Sequence, residues 1–510
     1  MDIASLPEEM LREIFTFLPF KDLLRCSLIC VHWHRIAEPL IYRRACIRIG
    51  LDMVGTDQTL WDSARQYHTV IVDNPPCSRR SLVNLLMLPC MVIFKPTEIQ
   101  LRNFIEESLH KFCRHGHRLF EKAETVCVEL NDTRHNYAHE AIEEFIFSFP
   151  TVKHLVWDQY SLINGRNILV VDAPLLQTAV IDDSMYENAS LLHIIGCNQL
   201  QHVKCTLRSK FFGNIFCCSF QHLHTLSLDI RFRNRNIDLP KDLPSLSWLE
   251  LTVFGDLSSD VLETVFTYSK LMGLKIALND NEPKNNCINL NLMFNRLPEL
   301  ESIELSGLCL DLYNVADAHH LKLLKMKHID LVNPVLSFNA PKLEVLSICE
   351  ENLINVSLTN NGNRLKKLFV DLSSHSWETV IEARLLYPFI DMYDSIDELT
   401  LMVSPNNSIQ CERSFFEQYP MDVDRLQLHK FQISCDFVES VHHWRHLKRL
   451  TLSDCCVVCN CKMGACTKLT NGFEGTLTRS SDGLEIVVRK SHVGKNTNKN
   501  PFGKNFINPL

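Results

Sequence analysis

The feature that most constrains this chain is an aliphatic pattern, L-x-x-L-x-L, that returns at a nearly constant step. It reads Leu223/Leu226/Leu228, Leu246/Leu249/Leu251, Leu271/Leu274/Ile276, Leu300/Ile303/Leu305 and Leu321/Leu324/Met326. It continues as Leu343/Leu346/Ile348, Leu365/Leu368/Val370, Ile396/Leu399/Leu401, Val423/Leu426/Leu428 and Leu447/Leu450/Leu452. Successive first positions lie 21 to 31 residues apart, about 25 on average. Weaker copies keep the beat upstream, at Ala123/Val126/Val128, Val152/Leu155/Trp157, Leu176/Ala179/Ile181 and Leu200/Val203/Cys205. The alternation puts apolar side chains on one face of a short strand. One such piece cannot cover that face, so successive pieces must bury it against each other, and a solenoid is expected. An ordinary domain of βαβ units would also alternate strand and helix, but it would not usually hold one period through about fourteen copies.

A second marker keeps the same phase. Pro150, Pro174, Pro244, Pro298 and Pro341 each stand two residues before a first position, where a proline can start a strand without interrupting its ladder. Phe437, Val438, Val441 and Trp444 read as one backing helix, and 261–266 and 141–147 as others. In period and slot residues the array resembles leucine-rich repeats. That resemblance implies an α/β solenoid: a curved horseshoe with parallel strands on its concave face and the x positions of those strands turned toward a partner. The array is expected over 123–466. Residues 46–122 are expected to link and cap it, with an amphipathic helix over Ile99–Phe112 ending near Gly116. Residues 467–510 read as a C-terminal cap and a basic tail, disordered beyond Glu485, where acids are absent and apolar residues sparse.

The first 45 residues follow another rule. Ser5-Leu-Pro-Glu8 has the form of a capping box, with Pro7 in a first helical turn where its missing N–H is no loss. Leu11, Ile14, Phe15 and Leu18 then form one apolar helical stripe. Pro19 stops it, Asp22 can cap a second helix, and Trp33, Ile36, Ala37 and Leu40 mark a third. Three helices this short bury too little surface to stand without a partner or neighbouring domain. Leu6-Pro7-Glu8-Glu9, Ile14-Phe15, Leu18-Pro19, Asp22-Leu23-Leu24, Cys30 and Trp33 together resemble the F-box motif, with Ile29-Cys30 where Val-Cys is usual. The resemblance covers about the first 42 residues. It implies docking onto the Skp-type adaptor of an SCF ubiquitin ligase and, through it, a cullin-RING ligase. Carried over by position, Leu6, Pro7, Ile14, Phe15, Leu18, Leu23, Leu28, Cys30 and Trp33 would contact the adaptor or order the helices that do.

The strand x positions nominate the partner-holding surface: Trp248, Lys275, Lys325, Lys327, Lys367, Phe369, Arg425, His429 and Arg449, with Glu250, Glu304, Asp371 and Gln427 among them. Trp and Arg dominate interface energies, and the cations outnumber the acids, which hints at a partly acidic partner. The whole chain carries a formal charge of −8 over 510 residues, too mild to argue for nucleic acid or an anionic membrane. Its 21 cysteines are an odd number in a long chain, so they read as reduced, mostly buried small apolar residues. Cys455, Cys456, Cys459, Cys461 and Cys466 contain C-x2-C, half a zinc site that Cys466 or His492 could extend; the better reading is repeat cysteines and no metal. His110, Cys113, His115 and His117 end an amphipathic helix and read as surface histidines. No catalytic motif is present and no cofactor is expected. There is neither a secretory signal nor a membrane-length apolar run, so cytosol or nucleus is expected. The function expected is a non-catalytic substrate receptor of an SCF-type ligase. The alternative is an F-box scaffold acting outside degradation.

Overall fold

Wherever the sequence alternates apolar and polar residues after a first repeat position, the chain runs as a short parallel strand. The computed structural model describes residues 6–50, 67–74, 96–132, 142–161, 167–182, 191–207, 215–231, 239–255, 257–279, 287–312, 315–332, 336–349, 356–359, 365–371, 396–402, 410–411, 423–434, 447–458, 473–480 and 483–490. They fall into two units, Met1–Asn286 and Cys287–Leu510.

Three helices open the first unit: α1 (Glu8–Phe17), α2 (Phe20–Ser27) and α3 (Val31–Arg44). Ten face strands follow: Cys46–Gly50, Thr69–Asp73, Glu98–Phe104, Thr125–Asp132, His154–Ser161, Thr178–Asp182, His202–Leu207, Thr225–Ile230, Trp248–Val253 and Gly273–Leu278. Each pairs in parallel with the one before it. The register reproduces the repeat: Leu155, Ala179, Val203, Leu226, Leu249 and Leu274 are successive partners across six strands. All six are buried. Each larger aliphatic side chain in such a row contributes about 1.5–3 kcal/mol, but only because the next turn covers it.

Several expectations shift here. The parallel stack already includes three strands between residues 46 and 104, upstream of position 123. The helix expected over Ile99–Phe112 is a strand followed by a shorter helix. Ile99 and Leu101 alternate inward in strand Glu98–Phe104, and helical spacing starts only with Leu109, Phe112 and Cys113 in helix Glu106–His115. Of the backing helix expected over 141–147, the described residues 142–147 are not helical. Glu144–Ser148 is a strand, because Phe145 and Phe147 point inward at period two. It pairs with Ile168–Asp172, then Leu191–Ile195, then Phe216–Cys217, so strands rather than helices back these turns. The expected helix near 261–266 is present as Ser259–Val265. The backing helix predicted from Phe437 to Trp444 lies outside the described residues. Phe104, Phe112, Phe120 and Phe149 make a chain of ring contacts 5.2–6.4 Å apart, filling the interior where the early slot residues are small.

The prolines initiate turns, not strands. The N–H groups of Val152, Leu176, Leu246, Leu300 and Leu343 each donate to the carbonyl three residues back. Each proline therefore holds the second position of a β-turn, where its fixed φ is favourable, and the strand starts four residues later. Just before most face strands, one carbonyl takes two N–H groups from the next turn; the His224 carbonyl, for example, accepts from Ser247 and Trp248.

In the second unit the face strands are Ser302–Ser306, Leu323–Lys327, Val345–Cys349, Lys367–Asp371, Ile396–Met402, Val423–His429 and Arg449–Val458. They too pair in parallel in chain order. Short strands form the other sides of the turns, with one helix at Leu290–Arg296. Gly307, His328 and Lys430 occupy the same place after three of these strands, with φ of 70°, 50° and 64°. The corner demands a left-handed residue, which glycine meets without strain and the others do not. Phe473–Ser480 and Gly483–Lys490 form an antiparallel hairpin on the last face strand. The tail beyond Glu485 is thus ordered to Lys490, because its backbone finds ladder partners; 491–510 lies outside the described residues. One cysteine pair departs from the expected reduced state. Parallel register places Cys287 opposite Cys309 with Cα atoms 4.6 Å apart, and their sulfurs are bonded. The described part of the chain is therefore a short helical head followed by parallel-strand solenoid turns.

Candidate functional site

The head folds around Leu11, Phe15, Leu23, Ile36 and Ala37, with Leu6, Leu18, Cys26, Trp33, Leu40 and Ile41 packed against them. Phe15 meets Trp33 edge-on at 5.2 Å. Local polar contacts differ from those the sequence suggested. Pro7 and Pro19 stand at the N-caps of α1 and α2. Glu8 pairs with Arg12 at 2.8 Å and Asp22 with Arg25 at 2.9 Å, so neither carboxylate caps. Ser5 lies outside the described residues. The Cys30 sulfur accepts the Trp33 N–H at 3.4 Å and so caps α3. Arg44 donates to the carbonyls of Thr16 and Leu18, tying the end of α3 to the end of α1.

The nine head residues nominated from the sequence divide into two groups. Phe15 and Leu23 lie in the interior, and Leu6, Leu18 and Trp33 are half-buried supports of it. Pro7, Ile14, Leu28 and Cys30 are exposed. Met10, Phe17, Phe20, Ile29 and Val31, none of them among those nine, are also exposed. Phe17, Leu28 and Val31 are 81%, 85% and 69% exposed. For Phe17 and Val31 the one available signal is their apolar character, since neither lies on the helical stripe that marks the core. A head this small thus leaves several large apolar side chains outward, as interaction surfaces do. The indole N–H of Trp33 is also screened from solvent without an acceptor among the described residues.

The nine nominated strand residues all sit at outward positions of face strands. Trp248 and Lys275 belong to the first unit, and Lys325, Lys327, Lys367, Phe369, Arg425, His429 and Arg449 to the second. Trp248 lies flat across its register partner Gly273, where a Cβ would fall 2.0 Å from the ring. The glycine is what lets the indole lie down. The excess of cations is smaller than counting suggested. Lys275 bonds Glu250, Lys325 bonds Glu304, and Lys367 reaches Glu398 at 3.2 Å. Burial pushes the Glu250 carboxyl up, but the bond and charge of Lys275 outweigh it and hold it below the usual range.

The weaker copies carry a different surface. Glu129, Asp158 and Asp182 are register partners on three adjacent strands. Burial, then the charges of Asp182 and Glu129, push the Asp158 carboxyl up to about 6. No single strand shows this row, since its successive members are 29 and 24 residues apart in sequence.

Of the cysteine cluster, Cys455 is buried and its Sγ donates to the Leu428 carbonyl at 3.3 Å. The Cys456 side chain, Cys459, Cys461, Cys466 and His492 lie outside the described residues. In the other cluster Cys113 is buried, His110 packs on Phe145 and Phe147, and His115 and His117 are exposed. Among the described residues no group of three His, Cys, Asp or Glu is disposed to hold a metal, and no helix is long and apolar enough to cross a membrane.

A family model described as F-box-like matches residues 3–48, which span α1, α2 and α3 and end inside the first strand. A search of curated proteins finds no match. F-box domains generally bind Skp-type adaptors. The F-box-like head and the solenoid together fit an adaptor or receptor of F-box type.

Proposed function

We propose that this chain is the substrate-recognition subunit of an SCF-type ubiquitin ligase. The head docks on the Skp-type adaptor, and through it on a cullin-RING ligase, while the outward faces of the solenoid strands hold the protein to be ubiquitinated. The observation that carries the reading is the F-box-like match over residues 3–48, in a head that leaves the large apolar side chains of Phe17, Leu28 and Val31 exposed. Exposed apolar anchors of this kind suit helix-in-groove recognition with a desolvated centre. The chain contributes no bond-making group of its own. It acts in cytosol or nucleus by raising the effective concentration of substrate lysines near a charged enzyme held elsewhere.

The test has two stages. Full-length protein should capture the purified Skp-type adaptor, and Leu28→Asp should abolish capture while leaving the melting temperature unchanged; equal capture by the variant would sink the adaptor reading. In cells, the partners trapped by the Leu28→Asp protein should have longer lifetimes than with wild type. Partners whose lifetimes do not change would assign the chain to scaffolding outside degradation.

A further inference from the structure

In the first unit the outward strand positions align into three rows. The first holds Thr125, His154 and Thr178, the middle one Cys127, Val156 and Val180, and the third Glu129, Asp158 and Asp182. Neighbouring strands lie roughly 4.8 Å apart, so the three carboxylates stand in line on one face. None has an ion-pair partner among the described residues, in contrast to Glu250, Glu304 and Glu398. Asp182 Oδ1 is screened from solvent and accepts no hydrogen bond among the described residues. Beside this row runs an aliphatic strip in which Val156 is 36% exposed and Val180 half-buried. The fold therefore holds like charges together, partly desolvated, next to an uncovered apolar strip. A ligand with cationic heads on apolar stems would satisfy both rows at once, as lysine and arginine side chains do. An acidic polymer such as a nucleic acid would be repelled.

We infer that this face receives an extended, lysine- or arginine-bearing segment of a protein partner, its cationic heads on Glu129, Asp158 and Asp182 and its stems along Val156 and Val180. The inference rests on the proposed role of the strand faces in holding a partner. It reverses the sign of partner charge that the stronger repeats suggested.

The experiment uses the full-length chain and two fluorescein-labelled peptides, one alternating Lys with Val and the other Glu with Val, read by anisotropy at low salt. The Lys/Val peptide should bind, and the combined Glu129→Gln, Asp158→Asn and Asp182→Asn variant should weaken it by about tenfold or more. These substitutions keep shape and relieve repulsion, so the fold is retained; thermal melting checks this. A charge-swapped variant, Glu129→Lys with Asp182→Lys, should prefer the Glu/Val peptide. Arg425→Gln with Arg449→Gln, on the second unit, should leave the Lys/Val peptide within about twofold. Undiminished binding by the neutralised variant, or preference of the wild type for the Glu/Val peptide, overturns the inference. Proximity labelling separates the two levels. If partners are lost only with the Arg425 and Arg449 changes, the charge inference falls while the strand-face role stands. If neither set of changes alters the partners, the strand-face role itself falls.

Discussion

The helical head and the strand faces are built from the same aliphatic residues but present opposite surfaces. In the head, three helices of 8 to 14 residues enclose only five fully buried side chains. A further set is half-buried against them, and Phe17, Leu28, Ile29 and Val31 are left outside. In the solenoid each turn covers the apolar side of the next, and the outward rows carry Thr, His, Lys and carboxylates. The difference is one of size against repetition: a small helical unit runs out of interior, whereas a stack makes new interior with every turn. On the proposed reading it also sets two kinds of recognition, one by desolvated anchors and one by charge in register.

The sharpest way to break the comparison is inside the head. Phe15→Ala removes a fully buried ring and should cost about 3–5 kcal/mol, enough to unfold so small a unit. Hydrogen exchange should then rise across α1 to α3 while the face strands of the first unit keep their protection. Unchanged exchange would show that the head draws its order from elsewhere. At the head's surface, Leu28→Asp should lower adaptor affinity on the order of 100-fold, about 2.7 kcal/mol, with stability changed by less than about 0.5 kcal/mol.

Salt should separate the two surfaces. Raising sodium chloride from 50 to 300 mM should weaken the Lys/Val peptide on the carboxylate row about tenfold and change adaptor affinity by less than about twofold, because only the former is dominated by charge. A parallel loss at both sites would dissolve the distinction.

The smallest effects concern the strand rows themselves. Asp158 has a folded pKa of about 6, above the roughly 3.9 of an unfolded aspartate. Its folded form holds the proton more tightly, so its contribution to stability is full below the unfolded value and lost as pH rises through about 6. Asp158→Asn should therefore raise the melting temperature at pH 7.5 by about 1–2 °C and do less at pH 5. Lys325→Gln, which breaks an in-register pair with Glu304 that is partly exposed, should cost less than about 1 kcal/mol by denaturant unfolding.

The repeat period, the inward slots and the phase of the prolines were all legible in the sequence, because each follows from local alternation and backbone chemistry. Leu155, Leu226 and Leu249 were readable as interior, and they are buried register partners along one row. The head was legible as an F-box-like segment through the order of its motif residues. The division of those residues was not: the stripe that names Phe15 also names Ile14, and only packing sends one inward and leaves the other 43% exposed. Glu144–Ser148 was misread as helix because a run of five residues satisfies either period.

Residue order alone requires this chain to stack and gives its first helices more apolar surface than they can bury. Both follow from residue patterns a few positions long. Which charges meet is settled by packing in three dimensions. Lys275 and Glu250, and likewise successive members of the row Glu129, Asp158 and Asp182, lie 24 to 29 residues apart in sequence. They are neighbours because parallel register sets the same position of successive turns side by side. A charge count along the chain sums over pairs that neutralise and rows that repel, and only the register tells them apart.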